Sequence, residues 1–232
     1  MLAARREERL RELAAELAER HGVEAEAVPA DLGEAAGRDA LAAALTRSGD
    51  EVEVLVNNAG FGDACDFASA DRERLLRMIR LNCEALTDLQ ARYLPGMVGR
   101  GRGAVINVAS TAAFQPIPSN GVYAATKAFV LSLSEATHAE LAGSGVTLTA
   151  VCPGPVRTEF MDVAGMVEAE DRTPGVIWMS AADVADAAVE GAEKGRRVVV
   201  PGLLNRAGAL SGQHGPRSLV LPLARRAYSR VL

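Results

Sequence analysis

Apolar and polar positions along this chain switch between a helical period and short continuous apolar runs, and each switch marks an element. From Ala4 to His21, Leu10, Leu13, Ala14 and Leu17 recur at i, i+3, i+4 and i+7, with Arg and Glu on the other face. That predicts an amphipathic helix, stopped by Gly22. Val23 to Val28 alternates apolar and acidic residues and reads as a strand, followed by a turn at Pro29-Ala30-Asp31-Leu32. Glu34 to Arg47, rich in Ala and Leu, predicts a second helix. Val52 to Val56 is a short strand of the buried parallel kind, and it runs straight into Asn57-Asn58-Ala59-Gly60. Ala70 to Val98 predicts one long helix with Leu75, Ile79, Leu86 and Leu89 on one side and Asn82 in its middle. Val105, Ile106 and Val108 mark a buried strand that closes at Ser110. A loop with Pro116, Pro118 and Gly121 follows, then a helix carrying Tyr123 and Lys127 to about Gly143. Val146 to Val151 is another apolar strand, ending at Pro153-Gly154. Thr158 to Trp178 has no clear period, and its length suggests a functional loop over a site. Ala181 to Lys194 predicts a helix and Arg197 to Val200 the last strand, before a tail mixing leucines and arginines.

Strands that alternate with helices and are apolar throughout predict a parallel sheet covered on both faces. No repeat, linker or low-complexity stretch divides the chain, so residues 1–232 read as one domain. Ligands of such sheets bind outside the carboxyl ends of the strands. Asn58, Ser110 and Pro153 all fall at such ends.

Bulk properties narrow the function class. The hydrophobic fraction of 49% and charged fraction of 24% are ordinary for a globular protein. A net charge of −5 argues against general nucleic-acid binding. The charge is uneven: the tail from Gly202 has five arginines and no acid, which leaves −10 on residues 1–201. Cys65, Cys83 and Cys152 are widely spaced, which suits reduced thiols in a cytoplasmic protein. The histidines show no metal-ligand spacing. The first residues are charged, with no apolar signal core, and the longest uncharged stretch, Gly103 to Thr126, is too interrupted by polar residues, Pro and Gly to span a membrane.

The chemistry concentrates in one stretch. Tyr123 and Lys127 lie one turn apart on one helix face. A nearby cation favours phenolate, so Tyr123 is expected to titrate below its ordinary value of about 10 and to exchange protons near neutral pH. Ser110 could hydrogen-bond the same substrate oxygen.

These residues have company: Asn57-Asn58-Ala59-Gly60 after one strand, Asn82 in a helix, Ser110 thirteen positions before Tyr123, and Pro153-Gly154-Pro155-Val156-Arg157-Thr158 after another strand. Together they resemble the short-chain dehydrogenase/reductase family. The resemblance implies a Rossmann-like, doubly wound α/β/α fold and a carbonyl reductase or alcohol dehydrogenase using a nicotinamide cofactor. It implies that Tyr123 is the general acid, that Lys127 lowers its pKa and holds the nicotinamide ribose, that Ser110 holds the substrate oxygen and that Asn82 anchors a proton-relay water. Asp31 and Leu32 match the adenine position. Asn58, Ala59 and Gly60 would line the ribose side, and Pro153, Gly154, Val156 and Thr158 the nicotinamide. A homodimer or homotetramer is implied too, with Ala128, Leu131 and Leu133 as part of its surface.

The family's glycine-rich phosphate turn, T-G-x-x-x-G-x-G, is missing, and Ala3-Ala4-Arg5-Arg6 resembles the end of the family's second strand. Two readings stand: Met1 is a misassigned start and the first strand lies upstream, or the short chain is real and holds a dinucleotide poorly. Arg5 and Arg6 stand where a carboxylate would favour NAD; guanidinium suits a 2′-phosphate, so NADP(H) is expected over NAD(H). The alternative is that they are only the charged first turn of a helix. Two other functions remain: a binding or scaffold protein on an inactive dehydrogenase fold, and an epimerase or dehydratase of the extended relatives. Phe160, Met161 and Met166 in the 158–178 loop hint at an apolar ketone or acyl substrate.

Overall fold

The computed structural model describes residues 1–166 and 175–228. In chain order they form β1 (Leu2–Ala4), α1 (Glu7–His21), β2 (Ala27–Pro29), α2 (Ala35–Ser48), β3 (Val54–Asn57), α3 (Arg72–Ile79), α4 (Leu86–Arg100), β4 (Gly103–Val108), α5 (Gly121–Glu140), β5 (Val146–Val151), α6 (Phe160–Val163), α7 (Ala181–Glu193), β6 (Val198–Val199), α8 (Leu203–His214) and α9 (Arg217–Tyr228). All strand pairs are parallel. The expected α/β fold, with strands sandwiched by helices, is what the chain adopts.

β4 is the spine. Its alternating side chains separate the two helical layers, because successive residues of a strand point to opposite faces. Val105 packs with Met97 of α4 and Leu148 of β5, while Ile106 packs on the other side against Ala188 and Ala192 of α7. Asn107 faces the α4/α5 layer too, where it donates to Gln90 Oε1 and Ser134 Oγ and accepts from Asn57 Nδ2, each at 2.9 Å. A buried polar group must be paired, so this network fixes α4 and α5 in register over the ends of β3 and β4.

The sheet differs from the expectation in continuity. It comes as two parts, β1-β2 and β3-β4-β5-β6. β3 is paired on one side only, and its Val54 and Val56 are 56% and 54% exposed because no described helix covers that face. Leu55, pointing the other way, packs under α4. The strand expected over Val23–Val28 is also shorter: only Ala27–Pro29 pairs, with Leu2–Ala4 as its partner. Glu24 lies before the pairing begins, and Glu26 contributes only its carbonyl, which accepts from the Leu2 amide at 2.7 Å while its side chain is exposed.

The long helix expected over Ala70–Val98 runs from Arg72 to Arg100, but with one wide π turn over Arg80–Ala85 in its middle. Hydrophobic periodicity does not register such a bulge; bulges of this kind often mark functional sites. The central strand stops at Val108 rather than Ser110, whose side chain instead caps a short 3₁₀ turn by accepting from the Ala112 amide at 3.1 Å. The 158–178 loop contains α6 and a 3₁₀ turn at Gly175–Ile177; residues 167–174 lie outside the described residues. Of the three residues expected on an oligomer surface of α5, Leu131 is buried against β5, while Ala128 and Leu133 are half-buried and keep an outer side; Phe129 is the large residue exposed beside them.

Candidate active site

The carboxyl ends of β3, β4 and β5 converge on one edge, as parallel topology requires. From β3 the chain passes through Asn57, Asn58, Ala59 and Gly60. Asn57 turns inward to the Asn107 network, whereas Asn58 and Ala59 are exposed on the site edge. Gly60 is required sterically: a Cβ there would lie 2.9 Å from Asn82 Oδ1 and 3.5 Å from Lys127 Nζ. This glycine lets β3's end, the π turn and α5 meet at one point.

Asn82 is 2% exposed and sits in the π turn. Its Nδ2 donates to the Phe61 carbonyl and to Thr126 Oγ1, both at 3.0 Å, and its Oδ1 accepts from the Phe61 amide at 3.1 Å. The side chain thus clamps the segment after Gly60 onto α5. Thr126, which spacing alone did not single out, is the α5 end of that clamp; its position beside Lys127 was the available signal. Gly62 extends the junction. A Cβ there would meet the Phe160 and Tyr123 rings at 3.0 and 3.4 Å. Phe160 of α6 packs against Tyr123 with ring centroids 5.5 Å apart, so the loop expected over the site does reach the tyrosine.

Lys127 is 6% exposed. Its Nζ donates to the Val108 carbonyl at 2.7 Å and lies 5.9 Å from the Tyr123 ring centroid. Burial disfavours the ammonium and lowers its pKa from 10.5 to about 8, while nearby Cys152 and Cys83 act in the opposite direction. The ammonium therefore still predominates at pH 7. The buried Cys152 thiol is pushed up to about 12, mainly by burial, and is neutral beside it.

The Pro153–Thr158 segment is built as a ledge. The Pro153 carbonyl accepts from the Thr111 amide at 2.9 Å, tying the ledge to the residue after Ser110. Val156 forms a parallel bridge with Met179. Gly154 allows close packing by Asn205 of α8, whose side chain would be 2.3 Å from a Cβ. Thr158 is exposed and accepts from the Phe160 amide at 3.3 Å, opening α6. The next residue, Glu159, ion-pairs with Arg6 at 2.8 Å and Arg9 at 2.5 Å. Arg6, then Arg9, hold its carboxyl below the usual range.

At the far side, Asp31 is exposed and Leu32 buried after β2. Asp31 Oδ1 caps its own turn by accepting from the Gly33 amide at 3.0 Å. Arg38, also unforeseen, holds this turn: its guanidinium donates to the Leu32 carbonyl at 3.0 Å, to Glu84 at 2.7 Å and to Asp88 at 2.5 Å. Arg5 lies exposed after β1.

The structure thus brings Asn82, Tyr123 and Lys127 together with Gly60 and places the Ser110 and Pro153 segments side by side. No group of acids, cysteines and histidines among the described residues could hold a metal, and no described helix is long and apolar enough to cross a membrane.

Residues 1–167 match the family model of the short chain dehydrogenases. The chain belongs to that family. It is 33% identical over 169 residues to very-long-chain 3-oxoacyl-CoA reductase of Anas platyrhynchos, covering 70% of this chain and 53% of that protein. It is 37% identical over 161 residues to the NADP-dependent 3-hydroxy acid dehydrogenase YdfG of Escherichia coli O6:H1, covering 68% of this chain and 63% of the relative. The chain therefore spans between about half and two-thirds of these relatives. A solved short-chain dehydrogenase from Sphingobium yanoikuyae, in complex with NADPH, superposes with a TM-score of 0.78 at 35% identity, covering 100% of this chain and 85% of that one.

Proposed function

We propose that this chain is an NADP(H)-dependent reductase of apolar ketones, or the reverse alcohol dehydrogenase, with Tyr123 as its proton donor. The observation carrying this reading is the buried Lys127, charged at neutral pH, one turn from Tyr123 beneath the glycine junction. An ammonium there favours phenolate and so tunes the phenol toward proton exchange at pH 7.

The residues present fit the nicotinamide–ribose half of the cofactor. Lys127 has three N–H donors, of which Val108 takes one, and suits ribose hydroxyls. Asn58, Ala59 and Gly60 offer an exposed backbone beside it, and Pro153, Gly154, Val156 and Thr158 form the opposing ledge. The described residues contain no glycine-rich phosphate turn for the diphosphate half. Asp31 and Leu32 are assigned to the adenine, and Arg5 and Arg6 to the 2′-phosphate. Arg6 would exchange Glu159 for phosphate, since both are anions and guanidinium binds either bidentately. When bound, the nicotinamide supplies or accepts the hydride. Tyr123 gives its proton to the substrate oxygen in reduction and removes it in oxidation. Ser110 donates to the same oxygen, and Asn82 holds the Phe61 segment and a relay water near Lys127.

The names of the NADP-dependent relative and of the NADPH complex support the cofactor assignment. The apolar substrate class rests on Phe160 beside Tyr123 and on Met161 in the same short helix. The scaffold alternative lacks support, because the named relatives are a reductase and a dehydrogenase. Assembly as a homo-oligomer in the cytoplasm completes the proposal. The test is oxidation of NADPH and of NADH by the 232-residue chain against a panel of apolar and polyhydroxylated ketones. NADPH oxidation with an apolar ketone supports the reading; oxidation of neither cofactor with any ketone overturns it.

A further inference from the structure

The last two helices carry a surface that the reductase reading does not use. α9 buries Ala224 and half-buries Val220, one turn apart, which turns Leu219 and Leu223 outward. Leu219 is 63% exposed and Leu223 67%; in α8, Leu203 is 85% exposed, with Leu204 and Leu210 also exposed. Arg206, Arg217, Arg225 and Arg226 are interleaved with these leucines, and no acid follows Gly202. Exposed leucines scattered singly are unremarkable, but six within two adjacent helices exceed that pattern.

We propose that α8 and α9 dock this chain onto an anionic lipid surface, with the leucines entering the acyl boundary and the arginines meeting phosphate headgroups. The composition is that of an interfacial segment, with exposed leucines and arginine as the sole charge. Arginine lays its aliphatic stem along apolar surface while its head stays in the polar layer. The charge distribution sets the orientation: the tail is +5 and residues 1–201 carry −10, so an anionic surface attracts the tail and repels the body. A second copy of the chain is the other occupant to consider. Pressing two copies together on this face would bring one +5 tail against another with no acid after Gly202 to pair either, whereas anionic headgroups neutralise the tail.

The same surface adjoins the site. Leu221, Pro222, Arg225 and Arg226 of α9, with Pro118 from the segment between Ser110 and Tyr123, line a groove of about 570 Å³. A chain seated by α9 would hold that segment close to the lipid.

The experiment is co-sedimentation of the 232-residue chain with vesicles of equimolar phosphatidylglycerol and phosphatidylcholine, and with phosphatidylcholine alone. Light scattering reports particle size without vesicles. Binding to the anionic vesicles should exceed binding to the neutral ones by more than about tenfold and weaken with salt. The double variant Leu219→Ser, Leu223→Ser should lose binding by about tenfold or more, with an unchanged circular dichroism spectrum, because both side chains point outward. Arg206→Gln with Arg225→Gln should lose the preference for anionic vesicles while folding normally. Equal or negligible binding to both vesicle types overturns the proposal. So does a leucine variant that shrinks the particle in solution and leaves vesicle binding intact, since that assigns the face to a second copy.

Discussion

Burying Lys127 as a cation beneath the site should be visible as pH-dependent stability. In the unfolded chain its pKa is the ordinary 10.5; folding lowers it to about 8. Between those values the unfolded chain holds a proton that the folded chain has released. Stability therefore rises with pH across that window, and below about pH 8 the full cost of burying the charge is present. At about 1.4 kcal/mol per pK unit, the gap amounts to about 3 kcal/mol. Lys127→Met keeps the stem and removes the titration. Cys152 titrates in an overlapping window with the opposite sign. Its pKa rises from 9.0 to about 12, so the unfolded thiol loses its proton first and stability falls across that range. The two effects mask each other in wild type, whereas Lys127→Met retains only the cysteine contribution, which is common to both proteins. The informative quantity is the difference in unfolding free energy between wild type and Lys127→Met, from urea titrations at pH 7 to 10.5 with a phosphine reductant. That difference should move in favour of wild type by about 3 kcal/mol as pH rises. A flat difference would mean that the ammonium is solvated, and that it does not tune Tyr123 in the way described.

Other outcomes follow from the same geometry. Gly60→Ala places a methyl 2.9 Å from Asn82 Oδ1; thermal melts should show a loss of about 1–3 kcal/mol. Arg38→Met leaves the Leu32 carbonyl without its donor and Asp88 with Arg92 as its remaining partner, so urea unfolding should show a loss of about 1–3 kcal/mol, and KM for NADPH should rise more than kcat falls. Asp88 is held below its ordinary pKa by Arg92 first and then by Arg38. It therefore contributes stability above about pH 4 that disappears as pH falls further, and Asp88→Asn should flatten that acid limb.

The alternation of elements was legible because each strand is a short β-branched run and most helices carry a clear apolar stripe. β5 falls on Val146–Val151 as its sequence indicates, and α5 places Tyr123 and Lys127 on one face. What escaped were features made by tertiary contact. The π turn at Asn82 keeps the helical stripe running, so period cannot reveal it. Thr126, Gly62 and Arg38 act through Asn82, Tyr123, Phe160, Glu84 and Asp88, 44 to 98 positions away, and no local pattern announces that. The Val23–Val28 alternation misled because its polar residues face solvent beside a two-stranded sheet rather than alternating across a wide one. Leu131 misled because its apolar character serves the internal α5–β5 packing.

The central claim is that Tyr123 donates the proton. Phe at that position keeps the ring against Phe160 and removes only the hydroxyl. The decisive measurement is single-turnover oxidation of NADPH with an apolar ketone by wild type and Tyr123→Phe, alongside a fluorescence titration of NADPH binding to each. The account predicts NADPH affinity within about threefold and a turnover loss of about a hundredfold to ten-thousandfold. Near-normal turnover in Tyr123→Phe would contradict it.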